Sequence, residues 1–269
     1  MKILFGLIGE KLGHSFSSQI HSSLYKKLNI NAHYYTFEID RSRLSSAVDS
    51  MKTLNIRGLN VTIPYKTEIM KYVDSISLES KNIGAINTIT LENEKTHGYN
   101  TDYFGFKAML EKCKINVKGK KIVLLGTGGV SKSVRQYLLD NGAQELLIVS
   151  RNLGNEINSK EIISYKELEE IEEKDIIINC TPVGMFPNID ESPVSSSVIS
   201  KFKIALDMIY NPEKTKFLKL AEGLGLKSAN GLYMLVVQAI KSEELWNNIK
   251  VDEIVVDEIY EEIREKLYE

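Results

Sequence analysis

Lys120-Lys-Ile-Val-Leu-Leu-Gly-Thr-Gly-Gly-Val-Ser131 is the stretch that decides how the chain is read. Ile122 to Leu125 is a short apolar run of the kind a parallel strand buried on both faces needs. Gly126-Thr-Gly-Gly breaks it. Apolar residues at 130, 134, 138 and 139 then recur at helical spacing. Strand, glycine turn and helix together make a phosphate cradle. Glycine lets the backbone approach, and the unpaired amides of the helix start face the anion. The spacing admits two ligands. Gly126-x-Gly128, with Ser131 in the third glycine's place, is an irregular dinucleotide fingerprint. Gly126 followed by Ser131-Lys132-Ser133 is a P-loop lacking its second glycine. The next strand favours the dinucleotide. Gln144 to Val149 reads as strand and ends in Ser150-Arg151, where a dinucleotide site keeps its ribose-reading residue: acidic for NAD, Arg for NADP.

The bulk composition narrows the rest. A length of 269 residues suggests two domains, and 43% hydrophobic residues are enough for real cores. A net charge of −2 gives no reason to expect nucleic acid or an acidic membrane surface. Cys113 and Cys180 have no metal spacing and read as buried free thiols, so no metal is expected. The apolar start, Met1 to Gly9, is too short for a signal peptide, and no apolar run reaches membrane-spanning length. The expectation is a cytoplasmic, soluble protein.

Taken in order, Ile3 to Ile8 reads as a strand, Gly9 to Ser18 as a loop, and Gln19 to Leu28 as a helix. His33 to Ile39 alternates like a strand and Leu44 to Leu54 is helical. Gly58 to Ile63 is strand-like and stops at Pro64. Proline suits the first turn of a helix, which puts Tyr65 and Lys66 at a helix N-terminus. A helix near Ile76 leads to a strand from Ala85 to Leu91, and Glu92-Asn-Glu turns it back through Thr96 to Asn100. Asp102 reads as N-cap of a helix from Tyr103 to Cys113. From Lys120 a second set of βα units places strands at 121–125, 145–149, 175–179 and 203–207. Tyr233 to Trp246 and Val251 to Leu267 are amphipathic helices.

The cofactor loop lies in the second half and the polar clusters in the first: Ser15 and Ser17, Asn60 and Thr62, Lys66, Asn87, and Asn100 to Asp102. Most fall at strand ends, where open α/β sheets place ligands. Hydride transfer to a ketone needs an acid near the nascent alkoxide. Lysine serves if its pKa is lowered or if it is paired with a carboxylate. A helix start beneath Lys66 would disfavour its charged form. Each residue alone has a bland reading: a surface lysine, a capping aspartate, a serine-rich loop. The set as a whole is what informs.

That set closely resembles the shikimate dehydrogenase family. Gly9-x-x-Leu-x-His-Ser-x-Ser17-x-x-x-His21 is similar to the family's opening signature. Asn60-Val-Thr-Ile-Pro-Tyr-Lys66, Ile83-Gly-Ala-Ile-Asn-Thr88 and Gly98-Tyr-Asn-Thr-Asp102 resemble its three catalytic-domain motifs. Gly126-Thr-Gly-Gly, Asn179-Cys-Thr-Pro-Val-Gly-Met185, Asp207-Met-Ile-Tyr210-Asn-Pro and Gly231-Leu-Tyr-Met-Leu-Val-Val-Gln238 also match, in the family's order.

The resemblance implies an α/β fold of two domains. Residues 1–104 would bind substrate, with helices 239–269 packing back on them, and 105–238 would form a Rossmann-type NADP domain. It implies reversible NADPH-dependent reduction of 3-dehydroshikimate to shikimate, with Lys66 and Asp102 as the catalytic pair. Ser15 and Ser17 match the residues that bind the substrate carboxylate, with Tyr210 nearby. Asn60, Thr62, Asn87 and Gln238 match positions on ring hydroxyls or lining that site. Gly126, Thr127, Gly128, Gly129, Val130, Ser150, Arg151 and Thr181 fall on the cofactor side. Met208, Gly231 and Met234 match positions near the nicotinamide. The expected partners are small molecules only, with no nucleic acid and no membrane, for a monomer or homodimer.

The chain departs from the family pattern in places. Lys11 and Ser18 replace usual prolines, Ser22 a frequent Asn, and Asn152 a usual Thr. Leu153 to Glu156 bring no second cation for a 2′-phosphate. His14 and His21 read as packing residues. The rival readings are a relative that also oxidises quinate, a dinucleotide-dependent sensor without catalysis, and a P-loop phosphotransferase.

Overall fold

The structure, a computed structural model, describes residues 2–13, 15–151 and 161–268. His14 and the segment from Asn152 to Glu156 lie outside the described residues. The chain divides into two units. One is Met1–Gly105 with Val236–Leu267, and the other is Phe106–Leu235 with Tyr268. Both are α/β, as the alternation of patterns predicts.

In the first unit, β1 (Ile3–Gly9), α1 (Ser17–Leu28), β2 (Ala32–Glu38), α2 (Leu44–Thr53) and β3 (Ile56–Val61) alternate. Then come β4 (Ser75–Ile76), α3 (Leu78–Ile83), β5 (Thr88–Glu92) and β6 (Lys95–Tyr99), and α4 (Asp102–Lys112) leads into the second unit. The sheet order is β2-β1-β3-β5-β6-β4. β1 pairs in parallel with β2 and β3, and β5 and β6 close an antiparallel hairpin. One face is sealed by Ile8, Val48, Met51, Leu59, Val61 and Tyr65. The other buries Phe5, Leu7, Tyr25 and Tyr34 against Trp246, whose ring stacks on Phe5 at 4.7 Å.

The second unit runs β7 (Lys121–Leu125), α5 (Gly129–Asp140), β8 (Glu145–Val149), β9 (Ile162–Ile163), α6 (Tyr165–Glu170), β10 (Ile176–Asn179) and α7 (Ser196–Ile199). It continues with β11 (Ile204–Asp207), α8 (Lys216–Gly223) and β12 (Lys227–Ala229). The helices α9 (Leu232–Asn247) and α10 (Glu253–Tyr268) follow. The sheet order β12-β11-β10-β7-β8-β9 is parallel throughout. The order reverses between β7 and β10, the switch point at which doubly wound sheets bind dinucleotides. Val123, Leu125, Ile177, Ala205 and Phe217 are buried in this unit's core.

Four local readings are corrected. Pro64 does not open an α-helix: Tyr65 N–H closes a turn on Thr62 O at 2.9 Å, and only a short 3₁₀ turn, Glu68–Lys71, follows. Lys66 therefore sits over no helix dipole. The strand expected from Ala85 begins only at Thr88, because Ile86 N–H donates to Lys66 O at 2.8 Å and ties that stretch to the Lys66 turn. Asp102 is the first residue of α4 and not its cap: Asn100 Oδ1 accepts from Tyr103 N–H. Cys113 and Cys180 are free thiols, but half-buried, just past the ends of α4 and β10.

Candidate active site

The first unit gathers its polar residues at the ends of β3, β5 and β6. Thr62 N–H donates to Ile8 O at 3.0 Å, which places the turn carrying Lys66 beyond the ends of β1 and β3. Lys66 Nζ donates to Asp102 Oδ2 at 2.7 Å, and both side chains are buried. Asn87 Nδ2 donates to Asp102 Oδ1 at 3.0 Å, so each carboxylate oxygen has one fixed donor. The same Asn87 amide faces Thr101 Oγ1 at 2.9 Å and Gln238 Oε1 at 3.2 Å, while its Oδ1 accepts Thr101 N–H at 2.7 Å. A hydrogen-bonded ion pair in a dry surround is held in one geometry, and its members are aimed rather than free.

Asn60 is buried beside this pair. Its Nδ2 donates to Ser242 Oγ at 2.8 Å, and its Oδ1 accepts the Tyr34 hydroxyl at 2.8 Å. Ser15 and Ser17 face each other across 3.1 Å at the start of α1. Ser17 N–H donates to Ser15 Oγ at 3.3 Å, so the two hydroxyls and the first turn of α1 form one polar cluster at the helix start. Thr62 is half-buried at the entry to the Lys66 turn. His21 is a buried packing residue, as read. Two participants escaped the sequence reading, Ser242 and Tyr34. Ser242 stands one helical turn beyond Gln238, and that i, i+4 spacing was the available signal.

In the second unit Gly126 takes φ 99°, the left-handed region that favours glycine. A Cβ there would meet Thr181 Cγ2 at 3.0 Å. Gly128 is the N-cap of α5 with open space around its α-carbon and no side-chain cap. Thr127 is exposed and Gly129 and Val130 are half-buried, so the first-turn amides of a twelve-residue helix face outward. Ser131 Oγ donates back to Gly126 O at 2.6 Å and pins the turn. The cradle fits a pyrophosphate. Ser150 is buried at the end of β8 and Arg151 is exposed just past it. Thr181 is held by Asn179 Oδ1, which accepts its N–H at 3.0 Å and its hydroxyl at 2.7 Å. Asn179 Nδ2 donates in turn to Asp207 Oδ1 at 3.0 Å. Burial pushes the Asp207 carboxyl up to about 7, against three hydrogen bonds that favour its charge. Gly231 N–H donates to Ile209 O at 3.0 Å, beside half-buried Met208; Met234 is buried on α9, and Tyr210 is half-buried on the same segment as Met208.

Among the described residues no group of three or more His, Cys, Asp or Glu could hold a metal ion, and no helix is long and apolar enough to cross a membrane. A doubly wound sheet with an uncapped glycine turn at its switch point, in a chain whose other unit holds a buried Lys–Asp pair, defines a dinucleotide-linked dehydrogenase.

The comparisons with known proteins narrow that class. Residues 7–89 match the family model for the shikimate dehydrogenase substrate binding domain, and residues 108–201 that for shikimate / quinate 5-dehydrogenase. The chain is 48% identical over 266 residues to shikimate dehydrogenase (NADP(+)) of Clostridium perfringens, covering 97% of this chain and 98% of the relative. Shikimate dehydrogenase 1 of Peptoclostridium difficile superposes with a TM-score of 0.94 at 47% identity, covering 99% of this chain and 100% of that one. A chorismate mutase/shikimate 5-dehydrogenase fusion protein of Clostridium acetobutylicum gives 0.95 at 48%, with 99% of each chain covered. The chain belongs to the shikimate dehydrogenase family. It is an NADP-dependent oxidoreductase acting on a CH–OH group, and the family's reaction is the reversible reduction of 3-dehydroshikimate to shikimate.

Proposed function

We propose that Lys66 and Asp102 carry that reaction in this chain as one proton-transfer unit. The observation that carries the reading is the 2.7 Å contact between Lys66 Nζ and Asp102 Oδ2 in a buried setting where Asn87 holds the other carboxylate oxygen. NADPH, held by the glycine turn of the second unit, would supply a hydride for the carbonyl carbon. The Lys66 ammonium delivers a proton to the carbonyl oxygen as the alkoxide forms, and in the oxidative direction Lys66 takes it back. Asp102 keeps the lysine aimed and offsets its charge, and Asn87 holds the aspartate so that one oxygen stays on the lysine. Asn60, Thr62, Asn87 and Gln238 line the ring-binding site. Ser15 and Ser17, at the start of α1, take the substrate carboxylate.

In the same reading, residues 1–104 with helices 239–269 form the substrate domain and 105–238 the NADP domain. Gly126 to Val130 and Thr181 hold the pyrophosphate, Ser150 and Arg151 the 2′-phosphate, and Met208, Gly231 and Met234 the nicotinamide. The free thiols and the lack of a membrane-crossing helix among the described residues support placement in the cytoplasm. The test is absorbance at the NADPH band with 3-dehydroshikimate, using wild type and Lys66→Ala, with quinate and NADP as a parallel substrate pair. NADPH consumption that survives Lys66→Ala overturns the assignment. Quinate oxidation comparable to shikimate oxidation would make the chain the dual-substrate relative.

A further inference from the structure

The amide of Asn60 is nearly saturated. Its Nδ2 donates to Ser242 Oγ at 2.8 Å and lies 3.1 Å from Thr88 Oγ1 and 3.2 Å from Asn87 O. Two hydrogens face three acceptors, so no donor is left over. Its Oδ1 accepts the Tyr34 hydroxyl at 2.8 Å and keeps a second lone pair. Flipping the amide would set Oδ1 against the Asn87 carbonyl, oxygen to oxygen. The only capacity Asn60 has left for a ligand is to accept.

Tyr34 is itself held. Its ring stacks on His21 at 3.8 Å with an interplanar angle of 11°. His21 Nδ1 donates to Glu243 Oε1 at 2.5 Å, and Glu243 also accepts the Tyr25 hydroxyl at 2.6 Å and Asn247 Nδ2 at 2.7 Å. His21 and Glu243 are both fully buried. A carboxylate receiving three donors in a dry surround has one arrangement and resists leaving it. Burial and the Glu243 charge drive the Tyr34 phenol well above its ordinary pKa, with the Ser17 hydroxyl acting the other way. The phenol therefore keeps the proton that it donates to Asn60.

We infer that Tyr34, fixed by the His21–Glu243 pair, is a positioning residue that holds Oδ1 of the Asn60 amide, already oriented by the Asn87 carbonyl, in place with one lone pair left to accept, and that this selects substrates bringing a hydroxyl donor to Asn60. The inference rests on the placement of Asn60 in the substrate site. Tyr34→Phe keeps the stack and deletes the hydroxyl. The KM for shikimate rises about tenfold, as expected for one displaced hydrogen bond, while kcat and the KM for NADP change less than about threefold. With shikimate and its 4-deoxy and 5-deoxy analogues, the preference for shikimate over the analogue lacking the Asn60 partner falls by about tenfold. Adding Tyr34→Phe to Asn60→Ala changes nothing further. Glu243→Gln, which weakens the hold on His21, shifts the same ratio by roughly two- to fivefold. An unchanged ratio for both analogues in Tyr34→Phe and in Glu243→Gln overturns the inference, as does a lowered melting temperature with wild-type KM. A wild-type KM in Asn60→Ala instead overturns the placement of Asn60, and the inference with it.

Discussion

Asp102→Asn keeps the shape of the side chain and removes its charge, which separates two consequences that the buried pair combines. The Lys66 side chain is 10% exposed and that of Asp102 is 5% exposed, so solvent screens neither. An ammonium left without its counter-ion in such a place costs about 3–5 kcal/mol, and the retained amide oxygen keeps the loss near 3. The rate falls by about 10²–10⁴, or roughly 3–5 kcal/mol of barrier, because the proton donor loses its aim and its electrostatic partner. Lys66→Met alone should cost comparable activity and strand the aspartate with Asn87 as its remaining donor. The double variant Lys66→Met/Asp102→Asn removes both charges and leaves the Asn87 contact an acceptor. It should recover most of the lost stability while staying as inactive as the worse single variant. Urea denaturation and initial rates with 3-dehydroshikimate, run on all four proteins with NADPH binding checked separately, read out both quantities. Rate losses that multiply in the double variant would refute the shared proton transfer. Stability losses that add would refute the claim that the two residues compensate each other's burial.

Arg151→Ala should weaken NADPH about tenfold or more and leave NADH nearly unchanged, since a charge-assisted contact contributes roughly 1.5–3 kcal/mol; equal loss in fluorescence titrations with both cofactors removes Arg151 from the 2′-phosphate. Gly231→Ala puts a Cβ against Met208 O and 2.7 Å from Met208 C, both backbone atoms that cannot yield cheaply. Overpacking of that kind costs about 1–3 kcal/mol, and the variant should bind NADPH at least tenfold more weakly; wild-type affinity would place that contact outside the cofactor site. Asp207 sets a pH dependence. Its folded pKa of about 7 stands above the ordinary aspartate value of 3.8, so between roughly pH 4 and 7 the folded chain holds a proton that the unfolded chain has released. Its contribution to stability is complete below that window and is lost as pH rises through 7. Asp207→Asn should flatten the fall in urea midpoint between pH 5 and 8, and a parallel fall in both proteins would assign it elsewhere.

The elements that the sequence made legible are those with enough residues to show a period or a run. β7, β8, β10 and β11 are short apolar runs buried on both faces, and each was placed within a residue or two. β9 and β12 have two and three residues, too few for any pattern, and exist because neighbouring strands supply their ladders. The α8 helix escaped notice although Thr215 caps it by accepting Leu218 N–H. The candidate site was legible as a list of polar residues at strand ends. Its wiring was not, because the bonds from Asn87 to Thr101 and Gln238 span residues far apart in the chain. The helix dipole expected under Lys66 failed because Pro64 here closes a turn. Of the two routes open to a lysine acid, pairing with a carboxylate is the one present, in Asp102. His21 was correctly read as packing, yet its partner Glu243 lies 222 positions on, beyond the reach of local spacing.

The first unit is assembled from both ends of the chain, with the second unit's residues between them. During synthesis this imposes an order. A nascent chain that has emerged through Leu235 contains all of the second unit's continuous segment but lacks Trp246, Glu243 and Ser242. Phe5, Tyr25 and Tyr34 then have no cover, and Asn60 lacks the Ser242 hydroxyl. The second unit can settle while the ribosome is still at work; the first cannot close until its last helices arrive. A ribosome stall or a protease cut after Leu235 would therefore release a polypeptide with an apolar face open, a substrate for chaperones and degradation. Quality control would see such a product by the patch that Trp246 normally hides.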